Sequence, residues 1–159
     1  LTNYIDWAKR VHPLKGRVID APYLDRLPTN ETSLATVLRD AGYATWHVGK
    51  WHLGYSDTYP ERHGFDVNVG GCEWGMPRNG YFAPWHIPVL PGDDVPEGTY
   101  LDDYLTDRAV DLIGGARDKP FVLNLWYYSV HTPVQAKPDD IAYFEEKARR
   151  MRLRMRYPR

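Results

Sequence analysis

The chain has 159 residues, 43% hydrophobic and 26% charged, with six Trp and twelve Tyr. That length suits one ordinary domain able to bury roughly 70% of its unfolded surface, and that composition excludes the disordered and fibrous classes. The formal charge of −1 hides an asymmetry: Arg149 to Arg159 hold six Arg and no acid, leaving 14 cations against 21 acids, a formal −7, over residues 1–148. Such a body is not that of a general nucleic-acid binder.

Cys72 is the only cysteine, so no internal disulfide can form. No run approaches the roughly 18 apolar residues of a membrane span, and no secretory leader pattern is visible. Residues 1–28 read as irregular, punctuated by Pro13, Pro22 and Pro28. Thr29-Asn30-Glu31-Thr32 then offers capping side chains ahead of Leu34, Val37, Leu38 and Ala41, a helical spacing that Gly42 closes. Tyr43 to Val48 follows directly, rich in rings and β-branched residues, and predicts a strand.

Residues 54–98 contain six Pro and eight Gly and resist assignment to long regular elements. A helical stripe returns with Leu101, Leu105, Ala109, Leu112 and Ile113, stopped by Gly114-Gly115. The nearly continuous apolar run Pro120 to Tyr128 predicts a parallel strand covered on both faces. Pro138-Asp139-Asp140 opens a last helix with acids at its positive end. The tail from Arg149 alternates Arg with Met, Leu and Tyr, a strand-like pattern whose charge density suits an exposed or non-native end. Helix, short turn and strand thus occur in that order twice, which predicts an α/β fold with parallel strands.

In open α/β sheets, ligands bind beyond the carboxyl ends of the strands. Lys50 and His52 lie just past the first predicted strand, and His131 just past the second, so parallel strands would bring all three to one rim. Lys50 supplies a compact charge for an anionic oxygen, and two imidazoles supply acid, base or donor functions near neutral pH. That set suits sulfuryl or phosphoryl transfer, where equatorial negative charge is held and a leaving oxygen is protonated. The ordinary alternatives are loop histidines satisfied by backbone and a solvated lysine. No nucleophile is visible: Ser33, Ser56 and Ser129 lack a local elbow motif. Of the other histidines, His47 inside the strand reads as packed or hydrogen-bonded. His63 and His86, with Tyr81 or Trp85 as a sugar platform, are candidates for a substrate rim, with plain loop packing as the competing role.

The stretch "ETSLATVLRDAGYATWHVGKWHLG" (residues 31–54) resembles the second signature of the sulfatase family, in the alkaline-phosphatase-like superfamily. "HGFDVNVGGCEWG" (63–75), "GYFAPW" (80–85), "YLTDRAVDLI" (104–113) and "KPFVLNLWYYSVHTPVQAKP" (119–138) are similar to arylsulfatase-A-like enzymes in the same order. The resemblance spans residues 29–148 and implies an incomplete, mostly parallel sheet flanked by helices, with residues 1–148 a partial catalytic domain and 149–159 a tail. It implies that Lys50 contacts the sulfate, that His52 hydrogen-bonds and regenerates the nucleophile, and that His131 protonates the departing alcohol. It also implies a calcium ion, a formylglycine nucleophile, and an exported or lysosomal setting.

The departures are specific. Formylglycine arises from Cys-x-Pro-x-Arg, and Cys72 is followed by Glu73-Trp74-Gly75-Met76, so Cys72 is expected to be a small buried thiol. The acid pairs Asp93-Asp94, Asp102-Asp103 and Asp139-Asp140 do not match the family's calcium motifs and read as surface or helix-start acids. The resemblance therefore implies an internal fragment of a sulfate-ester hydrolase, acting on aryl or carbohydrate sulfates and inactive by itself. Its exposed sheet edge would permit self-association. The alternative is a non-catalytic module that binds anions or nucleic acid through the Arg-rich tail.

Overall fold

A computed structural model describes residues 24–90, 95–116 and 119–153. Its elements are α1 (Leu34–Asp40), β1 (Ala44–Gly49), two short 3₁₀ turns (Ser56–Thr58 and Pro60–His63), β2 (Val67–Val69), α2 (Leu101–Gly115), β3 (Phe121–Trp126) and α3 (Pro138–Arg150). The three strands form one parallel sheet in the order β2-β1-β3.

The α1 cap falls on Ser33, whose Oγ accepts from the Thr36 amide at 3.0 Å, one residue after the run that offered caps. Gly42 at φ +90° then turns the chain into β1, as a glycine beyond a helix end does without steric cost. The predicted stripe of α1 is not its buried face: Leu34, Val37 and Ala41 are exposed and Leu38 is half-buried, whereas the buried residue of the helix is Ala35, outside that stripe.

Successive side chains of β1 point to opposite faces. Val48 lies in the main core with Cys72, Tyr81, Trp85, Leu101 and Leu105, and α2 thereby covers one face of the sheet. The register places Val48 opposite both Val69 and Leu125, which pack against that same core. On the other face His47 sits edge-on to Trp51, Phe65 and Trp126, at centroid distances of 5.2, 5.4 and 5.2 Å. Ala35, Trp51 and Phe65 form the second core there.

Several expectations are revised. β3 is an outer strand, half-buried along its middle and exposed at Phe121 and Trp126, so its apolar run is not covered on both faces. β2 was hidden in the Pro- and Gly-rich stretch because three residues are too few for a periodic signal. Gly114 and Gly115 belong to α2 rather than stopping it. Arg149 and Arg150 are helical, the last turn of α3, so the strand-like alternation does not hold there. Residues 1–23 and 154–159 lie outside the described residues.

Burial holds the His47 imidazole down from 6.5 to about 4, against the opposing effect of its Nε2 contact with the Gly49 carbonyl at 3.1 Å. His63 is also buried and is also lowered by burial. The unfolded chain therefore binds more protons than the folded one between those two values, and stability rises with pH across that window. Acidification from above 6.5 to below about 4 is expected to remove up to about 3 kcal/mol through His47 alone, with His63 acting in the same direction. Urea unfolding at a series of pH values checks this, and His47→Phe is expected to flatten the acid limb.

Candidate active site

The stretch Gly49-Lys50-Trp51-His52 ends β1 by reversing the role of each successive side chain. Gly49 has φ +105°, and a Cβ on it would lie 1.9 Å from the Trp126 carbonyl oxygen. Only a glycine permits that approach, which lets the Lys50 amide donate to the same oxygen at 2.7 Å. Trp51 then turns inward. It is 5% exposed, its Nε1 donates to the Thr58 carbonyl at 2.8 Å, and its ring stacks on Trp126 at 6.1 Å. The residues on either side are thereby directed away from that core, and Lys50 and His52 are each half-buried.

His52 adopts φ +57°, a left-handed conformation uncommon outside glycine, although histidine is among the side chains that enter it more often. Its amide donates to the Cys72 carbonyl at 2.9 Å, which ties it to the 72–80 loop. Gly75 of that loop lies against the imidazole: a Cβ there would approach Cε1, Nδ1 and Nε2 at 2.5, 2.7 and 2.9 Å. The ring occupies a slot that exists because residue 75 has no side chain.

His131 follows β3 on the loop Ser129-Val130-His131-Thr132-Pro133. Its amide donates to the Tyr128 carbonyl at 3.1 Å. The buried Tyr81 hydroxyl lies 2.8 Å from the Tyr128 carbonyl and 3.0 Å from that of His131, so its one proton is shared by both. The Tyr81 amide donates to Gln135 Oε1 at 2.7 Å, fixing the loop from its far side. The His131 imidazole is exposed, with Nδ1 3.1 Å from Thr132 Oγ1.

Burial lowers the His52 imidazole first; the Lys50 charge and then His131 lower it further. Burial also lowers the Lys50 ammonium. Among the described residues no carboxylate forms an ion pair with Lys50. The structure thus brings Lys50, His52 and His131 into one electrostatic neighbourhood holding a cation, an imidazole neutral at pH 7 and a second, exposed imidazole. Such a set can hold an anionic oxygen and exchange protons with groups bonded to it.

Other candidates fall elsewhere. Tyr81, Trp85 and His63 are buried, so none is a surface platform for a sugar; His86 is exposed. Cys72 is fully buried with its thiol pushed up by burial, so it is no nucleophile. Ser33 is a helix cap, and Ser129 is half-buried on the loop after β3; Asp102, at the start of α2, is a half-buried carboxyl that burial raises. His12 and Asp93-Asp94 lie outside the described residues. Among the described residues no three His, Cys, Asp or Glu could hold a metal ion together, so the calcium that the resemblance implies does not fit them. Asp103 pairs with Lys137 instead, at 3.0 Å. Gly75, Tyr81 and Gln135 were missed as positioning residues, because their partners are far away in sequence and leave no local pattern.

Comparison with known proteins gives a consistent result. The Sulfatase family model matches residues 11–154. Human Arylsulfatase G is 42% identical over 94 residues, covering 54% of this chain and 17% of that protein. Mouse Arylsulfatase J is 30% identical over 151 residues, covering 85% of this chain and 25% of that protein. Among solved structures, Ps i-CgsB in complex with k-i-k-neocarrahexaose aligns with a TM-score of 0.61 and 28% identity, over 76% of this chain and 31% of that one. BT4656 in complex with D-glucosamine-2-N,6-O-disulfate aligns with a TM-score of 0.56 and 25% identity, over 76% and 23%. The sheet is therefore part of an alkaline-phosphatase-like α/β domain, and the chain spans between about a sixth and a third of the length of these relatives.

Because the Lys50 charge opposes protonation of His52, Lys50→Met is expected to raise the His52 titration midpoint. Histidine ¹⁵N NMR across pH 4–9 checks this; an unmoved midpoint would show that the two groups are not neighbours.

Proposed function

Since the chain belongs to the sulfatase family, we propose that Lys50, His52 and His131 handle the sulfate group of a sulfate ester, within the catalytic domain of a sulfuric ester hydrolase. The observation that supports this most directly is geometric: Lys50 and His52 follow the end of β1, whose neighbour β3 leads into His131, and one loop touches both histidine segments, Gly75 against the His52 ring and Met76 against Thr132 beside His131. Residues 1–148 are the share of that domain carried by this chain, and the substrate class is an aryl or carbohydrate sulfate. Two of the similar structures hold a carrahexaose and a disulfated glucosamine, which favours the carbohydrate.

Sulfuryl transfer spreads negative charge over the equatorial oxygens and builds more on the departing oxygen, and fixed charges aimed at those places lower the barrier. Lys50 is a point charge with three donors and holds an equatorial oxygen. His131 keeps Nδ1 against Thr132, which leaves Nε2 to give its proton to the departing alkoxide. His52 is lowered below its ordinary value, so at pH 7 it is a neutral base able to take a proton from an attacking hydroxyl. The family's formylglycine has no matching motif in this sequence and no step is routed through it.

The 159-residue chain alone is accordingly expected to bind sulfate esters without hydrolysing them. In an active polypeptide carrying this segment, Lys50→Met, His52→Gln and His131→Gln are each expected to lower kcat/KM for an aryl sulfate by about 10²- to 10⁴-fold. Circular dichroism should remain native. A variant that keeps full turnover removes its residue from the assignment, and turnover by the isolated chain would contradict the expected inactivity.

A further inference from the structure

The loop that packs on His52 also reaches the second histidine. Gly75 lies against the His52 ring, and the next residue, Met76, places its sulfur 3.9 Å from Thr132 Oγ1, the atom that contacts His131 Nδ1. Both ends of the loop are fixed. The Cys72 carbonyl receives the His52 amide, the Gly80 amide donates to the Pro77 carbonyl at 2.9 Å, and Tyr81 is held by Gln135. A wall of residues 73–79 therefore borders the rim, and its position is set by the same contacts that set the two imidazoles.

On this wall Arg78 is exposed, with its guanidinium carbon 4.6 Å from the centroid of the Trp74 ring. Trp74 is itself anchored: it packs against the main core, and its amide contacts Cys72 Sγ at 3.4 Å. Among the described residues no carboxylate forms an ion pair with Arg78. The nearest acid in the loop, Glu73, accepts the Tyr59 hydroxyl instead. A stacked guanidinium keeps its five donors in plane and loses less side-chain freedom on binding than an unsupported one.

We propose that Arg78, held on Trp74, is a specificity-determining residue that binds a second sulfate on the same saccharide whose scissile sulfate lies at Lys50, His52 and His131. The inference rests on the sulfate-ester reading of that rim and adds to it a preference for multiply sulfated sugars. The guanidinium fork matches two oxygens of a sulfate, and sulfate stays ionised at every pH at which the protein folds. The contact is half-open to solvent, so its contribution is modest and weakens as salt is added.

The test is calorimetric binding of glucosamine 6-O-sulfate and D-glucosamine-2-N,6-O-disulfate to the 159-residue chain, to Arg78→Gln and to Lys50→Met, at 50 and 300 mM salt. The wild type is expected to bind the disulfate about three- to tenfold more tightly than the monosulfate at low salt, with the ratio shrinking at high salt. Arg78→Gln should lose that ratio and keep its monosulfate affinity, whereas Lys50→Met should weaken both ligands. An unchanged ratio in Arg78→Gln, or equal wild-type affinities, overturns the role of Arg78. If Lys50→Met leaves both affinities unchanged, or if neither sugar binds the wild type, the reading of the rim fails and the inference with it. Arg78→Lys separates geometry from charge, since it should restore only part of the ratio.

Discussion

The burial of Trp51 is the interaction on which the site depends. Its ring is enclosed by His47, His63, Phe65 and Trp126, and its indole nitrogen is satisfied by the Thr58 carbonyl. A tryptophan so placed fixes the chain at one point, and its neighbours Lys50 and His52 are left half-buried on either side of it. A lysine and a histidine two positions apart thus stand just past the carboxyl end of the central strand without burying an unpaired charge completely. The arrangement needs two glycines of different kinds: Gly49 lets the chain pass the Trp126 carbonyl, and Gly75 leaves room for the His52 ring.

Tyr81 performs the corresponding service for the second histidine. Its hydroxyl is shared by two carbonyls of the His131 segment, its amide is held by Gln135, and its carbonyl accepts both the Leu101 amide and the Trp85 indole. One buried residue, through its backbone and its hydroxyl, thus links the start of α2, the irregular 80s and the loop after β3. The two histidines come from strands that pair in register, Gly49 opposite Trp126, so their separation is set by the ladder and by these two anchors. Buried polar groups with all partners in place are costly to disturb, which makes such positions stiff.

Much of this was legible in the sequence, for identifiable reasons. β1, β3 and the three helices carry strong periodic or apolar signals with glycine or proline at their ends, and their order pointed to parallel strands. Lys50, His52 and His131 could be placed at strand ends from that order alone. The rest depended on contacts between distant residues. The Tyr81 clamp joins residues about fifty positions apart, and β2 is three residues long. The exposure of Leu34, Val37, Phe121 and Trp126 breaks the rule that periodic apolar faces are covered. The chain spans a minority of its relatives' length.

The central claim is that one sulfate group meets Lys50, His52 and His131 together. It is tested most directly by titrating the histidine-labelled chain with a monosulfated sugar and following the imidazole resonances. The account predicts that His52 and His131 shift along one saturation curve while His47 and His63 stay still, and that Lys50→Met abolishes both shifts. Independent curves for the two histidines, or imidazole resonances of His52 and His131 that stay still at saturating sugar, would contradict it.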